Sequence, residues 1–243
     1  IGLFEGVEEP LARIGGFTYA IEAMRRYTMG ALNNHIKPPV VTAISKYYGT
    51  EVGRHVINDA MDILGGQGIS MGPRNLLAQI YIATPIGITV EGANIMTRTF
   101  MTFGQGALRA HPYAYKEVKA CETNDLKLFD EVFWGHVGHI VRNTFRSFLL
   151  SVTRGWIAPA PVHPELKLYA RRLMWAAASF SIMVDIAMGT LGGSLKIREK
   201  INGRFADILA WMYISTAVLR RFEAEGRREQ DLASVKWSLK HGL

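Results

Sequence analysis

"VVTAISKYYGTEVGRHVINDAMDILGG", Val40 to Gly66, is the stretch whose reading decides the fold. From about Val40 to Leu64 its apolar residues return at three- and four-residue steps, the spacing that lines one face of a helix. The Gly65-Gly66 pair then stops the helix, because glycine accepts the positive φ that a helix C-cap requires. Upstream, "KPP" (Lys37–Pro39) breaks the pattern. Before it, "VEEPLARIGGFTYAIEAMRRYTMGALN" (Val7–Asn33) is another long helical run. Gly15 and Gly16 there either weaken the helix or let a neighbouring helix approach closely.

Downstream, "GPRNLLAQIYIATPIG" predicts a short helix with breaks at Pro73 and Pro85. A further helix is expected from near Gly92 to about Gln105, and residues 106–123 read as a connection. Three longer helices follow, over Asp125–Gly155, Glu165–Leu191 and Lys196–Glu225. They are separated by the Pro-rich "APAPVHP" (Ala158–Pro164) and by Gly192-Gly193, read as a helix stop. "EGRREQDLASVKWSLKHGL" closes the chain as a polar tail or the start of a further segment. No strand-like alternation persists anywhere, so the expected fold is all-α, with helices packed in bundles.

A chain of 243 residues can hold one large or two small domains with a real core. The single cysteine, Cys121, permits no intrachain disulfide and fits a reducing compartment. The opening "IGLFEGVEEP" lacks methionine and has no signal-peptide pattern, so the chain reads as a fragment cut at both ends. Net charge is +7 and uneven: residues 1–120 hold 11 Lys/Arg against 9 Asp/Glu, and residues 121–243 hold 17 against 12. Without a tight basic run or an aromatic-interleaved basic stripe, nucleic acid is not an expected partner. "LMWAAASFSIMVDIAMGTLGG" (Leu173–Gly193) has the length of a membrane span. Asp185 near its middle would cost about 2.5–3.5 kcal/mol in a bilayer, so a bundle helix explains it better. Peripheral attachment through the basic second half stays open.

Two short stretches could carry chemistry. In "DILGGQGISMG" (Asp62–Gly72) the glycines expose backbone to which a diphosphate or adenine edge can come close, unless the segment is only a helix stop and a loose turn. In "ITVEGANIM" (Ile88–Met96) a lone carboxylate, Glu91, stands among apolar residues. It is either a capping or solvated loop acid, or a catalytic base. His136 and His139 share a helix face with no acid at ligand spacing, so they read as satisfied bundle histidines and no metal is expected. Arg98, seven residues after Glu91, either supports that site or is paired at the surface, with pairing favoured. The arginines at 171–172, 220–221 and 227–228 read as a solvated face.

Taken together, "DAMDILGGQG" followed by "ITVEGANIMTR" resembles the acyl-CoA dehydrogenase family. "AISKYYGTEVGRHVINDAMDILGG" is similar to the helix leading into that family's glycine motif. "LFEGVEEPLARIGGFTYAIEAMRR" is similar to the helix opening its C-terminal helical domain. "GTLGGSLKIREKINGRFADILAWMYISTAVLRRFEAEGR" resembles the extra C-terminal region of the long bacterial members that act in fatty-acid β-oxidation. The resemblance implies a C-terminal helical domain over residues 1–114 and a second helical bundle, the extension, over 115–243.

It also implies roles. Glu91 falls on the catalytic base and Gly92 on the glycine whose backbone lies against substrate. Ala93 and Asn94 fall where the next helix starts at the flavin. Gly65 and Gly66 fall where a neighbouring subunit's backbone meets the adenosine-diphosphate part of FAD. Phe4 and Glu5 fall at the front of the domain, where the family commonly has a glutamine touching FAD. Glu5 and Asp62 both stand where glutamine is common, and Pro73 and Pro85 alter the path towards Glu91. The implied cofactor is FAD, the substrate a fatty acyl-CoA, the electron acceptor an electron-transfer flavoprotein, and the assembly a homo-oligomer. A cytoplasmic location is implied, with peripheral attachment to the inner membrane left open. Burial of Glu91 by Ile88, Val90, Ile95 and Met96 would raise its basicity. The rival reading is a non-catalytic basic helical module that binds anionic lipid or an acidic partner.

Overall fold

The long run before the Lys37–Pro39 break is α1 (Glu5–Asn33), and the run after it is α2 (Val41–Leu64), in a computed structural model that describes residues 2–38 and 40–243. Pro39 itself lies outside the described residues. α1 turns Phe17, Ala20, Ala23, Met24 and Thr28 inward, the three- and four-step repeat seen in the sequence. α2 answers with Ala43, Ile44, Tyr48 and Val52. Arg13 donates from Nε and Nη2 to the two oxygens of Asp59, at 3.0 and 2.7 Å, and so ties the two helices together.

Gly65 ends α2 with φ +55°, as its sequence position requires. The chain continues through α3 (Gly66–Ile69), α4 (Leu76–Ala83), α5 (Ile86–Thr89) and α6 (Asn94–Met96). Asn75 caps α4, its side-chain oxygen accepting from the N–H groups of Leu77 and Ala78.

Three expectations need correction. The helix expected over 92–105 is α6 followed by a π-helical segment, Thr97–Gly104. There Gly104 meets the Asn202 side chain, and a Cβ would stand 3.1 Å from its Nδ2. The connection expected over 106–123 contains α7 (Gly106–Ala110) and α8 (Ala114–Glu122). α8 buries only Ala114 and Ala120, residues too small to mark a hydrophobic period. The polar tail ends in α12 (Leu232–Gly242), which buries Leu232, Val235 and Leu239. Gly16 makes room for it: a Cβ there would fall 2.0 Å from Cε3 of Trp237, and Ser238 Oγ donates to the Gly16 carbonyl at 2.8 Å. Close approach, not weakness, is the role of that glycine.

The remaining helices are α9 (Leu126–Val152), α10 (Lys167–Leu191) and α11 (Glu199–Ala224). Gly192 caps α10 with φ +50°, the expected stop. No strand occurs among the described residues, and the fold is all-α. The chain forms two units. One holds Ile1–Lys37, Val41–Thr97 and Tyr213–Leu243; the other holds Pro38–Val40 and Arg98–Met212. In the first, Thr28 Oγ1 is within 2.9 Å of both Ser45 Oγ and the Tyr213 hydroxyl, and the Arg221 guanidinium lies 4.1 Å over the Tyr19 ring. Arg221 is therefore packed rather than part of a solvated face. In the second, Phe103 stacks on Phe205 at 4.5 Å within a core completed by Val184, Ala187, Leu195 and Ala206.

Candidate active site

The site expected at Glu91 lies wholly in the first unit. After α5 the chain turns back on itself at Glu91, with φ +55°, and Gly92, with φ +104°. A left-handed glutamate is strained by roughly 1–2 kcal/mol, so something must hold it. α2 does so. Lys46 Nζ donates to the Gly92 carbonyl at 2.5 Å and to Asn94 Oδ1 at 2.6 Å. Asn94 Nδ2 donates to Glu51 Oε1 at 2.7 Å and to Thr50 Oγ1 at 2.9 Å. Lys46 and Thr50 are four apart on one face of α2, and Glu51 reaches Asn94 from the position next to Thr50. Two of these bonds have an ionised partner on each side of the buried Asn94.

With its carbonyl side tied down, the turn presents its other side outward. Among the described residues, neither the Glu91 carboxylate nor the Glu91 N–H has a hydrogen-bond partner. Glu91 is exposed, and Val90, Ile95 and Met96 beside it are 48%, 76% and 49% exposed. The apolar walls read from the sequence are present, but they stand open. The expected burial of Glu91 is not supplied by this chain's own atoms. Ala93 is exposed at the start of α6, whereas the Asn94 side chain faces inward onto α2.

Gly65 borders a groove of about 580 Å³ lined also by Asn58, Met61, Asp62, Ile69 and Tyr81, and Gly66 follows it in the chain. A Cβ on either glycine would meet nothing within 4 Å, so the backbone there is open to a close-packed ligand. Arg54 stands beside Asn58 and Tyr81 in the adjoining recess. The open backbone and Arg54 suit a nucleotide, while Asp62 opposes a phosphate in its immediate vicinity. Phe4 is the exposed residue preceding α1, and Glu5 is exposed in its first turn. In the second unit, Arg98 is paired with Asp207, its Nε donating to Oδ1 at 2.7 Å and its Nη2 to Oδ2, as the sequence reading expected.

Sequence reasoning missed two groupings. Lys46, Thr50 and Glu51 gave no signal, because their partners lie more than forty residues away. His136 does find acids, but from other helices, while His139 bonds Ser181 and Asn143. His136 Nδ1 is 2.8 Å from Glu117 of α8, and its Nε2 is 3.4 Å from Asp185 of α10. Asp185 also lies 2.9 Å from Nε2 of His111. His111 Nδ1 accepts the N–H groups of Ala114 and Tyr113, so a neutral His111 carries its proton on Nε2 and donates it to Asp185. The ligand atoms of His111, His139 and Asp185 lie within 4.8 Å of one another. A cation on His111 Nε2 would need that ring fully deprotonated, so hydrogen bonding describes the cluster better than ligation. Burial pushes the imidazoles of His111 and His139 below the usual histidine range.

Comparison with known proteins agrees with this architecture. A family model described as "Acyl-CoA dehydrogenase, C-terminal domain" matches residues 1–102, the stretch that holds the glycine groove and the Glu91 turn. The chain belongs to the acyl-CoA dehydrogenase family. Its second half is matched, over residues 108–243, by the model described as "Acyl-CoA dehydrogenase, C-terminal, bacterial type".

Proposed function

We propose that this chain supplies the base for α,β-dehydrogenation of a fatty acyl-CoA to the trans-2-enoyl-CoA, the first step of fatty-acid β-oxidation. The single observation that carries the reading is the anchored turn at Glu91–Gly92, with a strained backbone, an exposed carboxylate and an N–H without a hydrogen-bond partner among the described residues, beside an apolar wall. Strain of this kind persists where the surroundings over-determine it, and it concentrates at active sites.

In this reading Glu91 takes the proton from the α-carbon of the thioester. The electron pair of that C–H bond becomes the new Cα=Cβ bond. FAD, when bound, accepts the hydride leaving the β-carbon. The free N–H of Glu91 donates to the thioester carbonyl and stabilises the charge that gathers there. Val90, Ile95 and Met96 lie against the acyl chain, which excludes water from the carboxylate and strengthens it as a base. Gly92 lets the substrate approach the backbone. Lys46 and Asn94 act as positioning residues by holding the turn.

The open backbone at Gly65–Gly66 and the front of α1 at Phe4–Glu5 would border FAD, with the glycine groove serving a neighbouring subunit of a homo-oligomer. Electrons would pass on to an electron-transfer flavoprotein. We assign residues 1–114 to the catalytic helical domain and 115–243 to the extension, and place the protein in the cytoplasm.

The test is Glu91→Gln in the FAD-loaded enzyme that contains this chain. Turnover should fall by about 10²–10⁴-fold with flavin content unchanged. Full turnover would overturn the assignment. The 243-residue chain alone is expected to retain no flavin through gel filtration, since its own atoms leave the Glu91 site open. Stoichiometric yellow flavin on it would contradict that.

A further inference from the structure

α9 is built with its polar side inward. Its inner face carries His139, Asn143 and Ser147, which bond to α10: His139 Nε2 and Asn143 Nδ2 lie 3.1 and 3.0 Å from Ser181 Oγ, and Ser147 Oγ lies 3.0 Å from Ser179 Oγ. Its outer face carries Trp134, Val141, Phe145, Phe148 and Val152, each between 51% and 70% exposed. Their steps of seven, four, three and four place them in one stripe, about 27 Å long. In a helix that serves only its own bundle, these two faces would be exchanged. A contiguous exposed stripe of this size marks a contact surface.

The charge around the stripe indicates what it meets. From Val132 to Pro164, the length of the stripe and the segment that follows it, the chain holds three arginines and no acid. Arg142 and Arg146 each follow a stripe residue, about 100° further round the helix, where a long stem can lie along the apolar face with its charge lifted clear. Arg142, Arg146 and Arg154 are exposed, and among the described residues none has a carboxylate partner. Just beyond the helix, Trp156 is 69% exposed, and the Arg171 guanidinium lies 4.8 Å from its ring centre. Asp130 and Glu131 precede Trp134, so the basic, apolar surface begins there.

We propose that the outward face of α9 docks in the headgroup layer of an anionic lipid bilayer, with the helix axis parallel to the surface. Aromatic side chains along one face with unpaired arginines on its shoulder are the features of an interfacial helix. Arg142 and Arg146 fall mid-helix, which opposes a spanning arrangement. A second copy of this chain is a poor occupant, because two such surfaces would bring like charge against like charge. The inference does not depend on the assignment of Glu91.

The experiment is flotation of the purified chain with vesicles of phosphatidylcholine alone and of equal parts phosphatidylcholine and phosphatidylglycerol. The expected result is binding to the anionic vesicles at least tenfold stronger than to the neutral ones, weakened by high salt. Phe145→Asp/Phe148→Asp should abolish it, and Arg142→Glu/Arg146→Glu should weaken it at least tenfold. All four residues are exposed, and the arginines make only long contacts, Arg142 to His139 at 3.4 Å and Arg146 to Met174 at 3.8 Å, so circular dichroism and thermal unfolding should stay close to the wild type. The arginine pair keeps the test decisive if the phenylalanine pair misfolds. Equal binding to both vesicle types, no binding, or binding untouched by the arginine pair would overturn the proposal. So would a lipid-free dimer, seen by light scattering, that the substitutions dissociate, because that would make the face a self-interface.

Discussion

Replacing Asn94 by alanine tests whether the Glu91 turn is held from α2. The substitution removes donors to Glu51 Oε1 and Thr50 Oγ1, at 2.7 and 2.9 Å, and the acceptor of Lys46 Nζ at 2.6 Å. A hydrogen bond to an ionised group contributes about 1.5–3 kcal/mol. Neither ion is stranded by the loss, since Lys46 keeps the Gly92 carbonyl and Glu51 keeps Arg54 at 3.1 Å. The expected loss is therefore about 2–3 kcal/mol, not the sum of both bonds at full strength. Asn94→Asp sharpens the test. It preserves size and the Lys46 contact, but sets a second carboxylate against Glu51. Its destabilisation should be greater at neutral pH than in mild acid, where one of the two acids takes up a proton. Urea unfolding followed by circular dichroism measures both. A loss below about 0.5 kcal/mol for the alanine variant would refute the anchoring argument, as would an aspartate variant insensitive to pH.

Gly16→Ala should destabilise the packing of α12 on α1 by about 1–3 kcal/mol, because the new methyl would overlap the Trp237 ring, which is itself fixed at 4.9 Å edge-on to Phe17 and stacked on His241. Trp237→Ala should largely remove that penalty in a double-mutant cycle, and additive losses would show that the contact is not responsible. Acid should also weaken the fold. His111, His139 and His241 are each pushed down, first by burial. Their unfolded forms titrate near ~6.5, so the unfolded chain binds more protons below that value. Stability should be full above it and fall as pH drops towards the folded values. A thermal midpoint that stays level or rises from about pH 7.5 to about pH 5.5 would contradict this.

The sequence made the long helices plain because their apolar repeats are written in large side chains and their ends in Gly-Gly and Pro. It did not disclose α8, whose buried positions are alanines, or α12, whose three buried apolar residues sit among charges. Gly16 was ambiguous for a related reason: a helix glycine shows that space is needed, while the occupant, Trp237, lies 221 positions away. At the site, Glu91 and the glycine pair were legible through motif and order. Lys46 and Glu51 were not, because a residue that holds a turn from another helix leaves no mark near that turn. The acids of the histidine cluster leave no mark near His136 for the same reason: Glu117 and Asp185 come from α8 and α10, not from α9.

The Glu91 turn and the outer face of α9 pose the same physical problem. Each joins polar groups to apolar side chains that remain open to water. At Glu91 the backbone is strained and tied at Gly92 and Asn94, so the chain fixes the point from which the carboxylate projects without fixing its surroundings. A carboxylate in water is a poor base for a carbon acid, and the same group beside a bound acyl chain is a far better one. Substrate would then complete its own catalyst, and base strength would rise only when the apolar wall is covered. That predicts a division of effects among variants of the wall. Ile95→Ser should lower turnover through weaker exclusion of water, while Lys46→Met should do so by loosening the turn itself. Raising the pH should not rescue the Lys46 variant, in which position is what is lost.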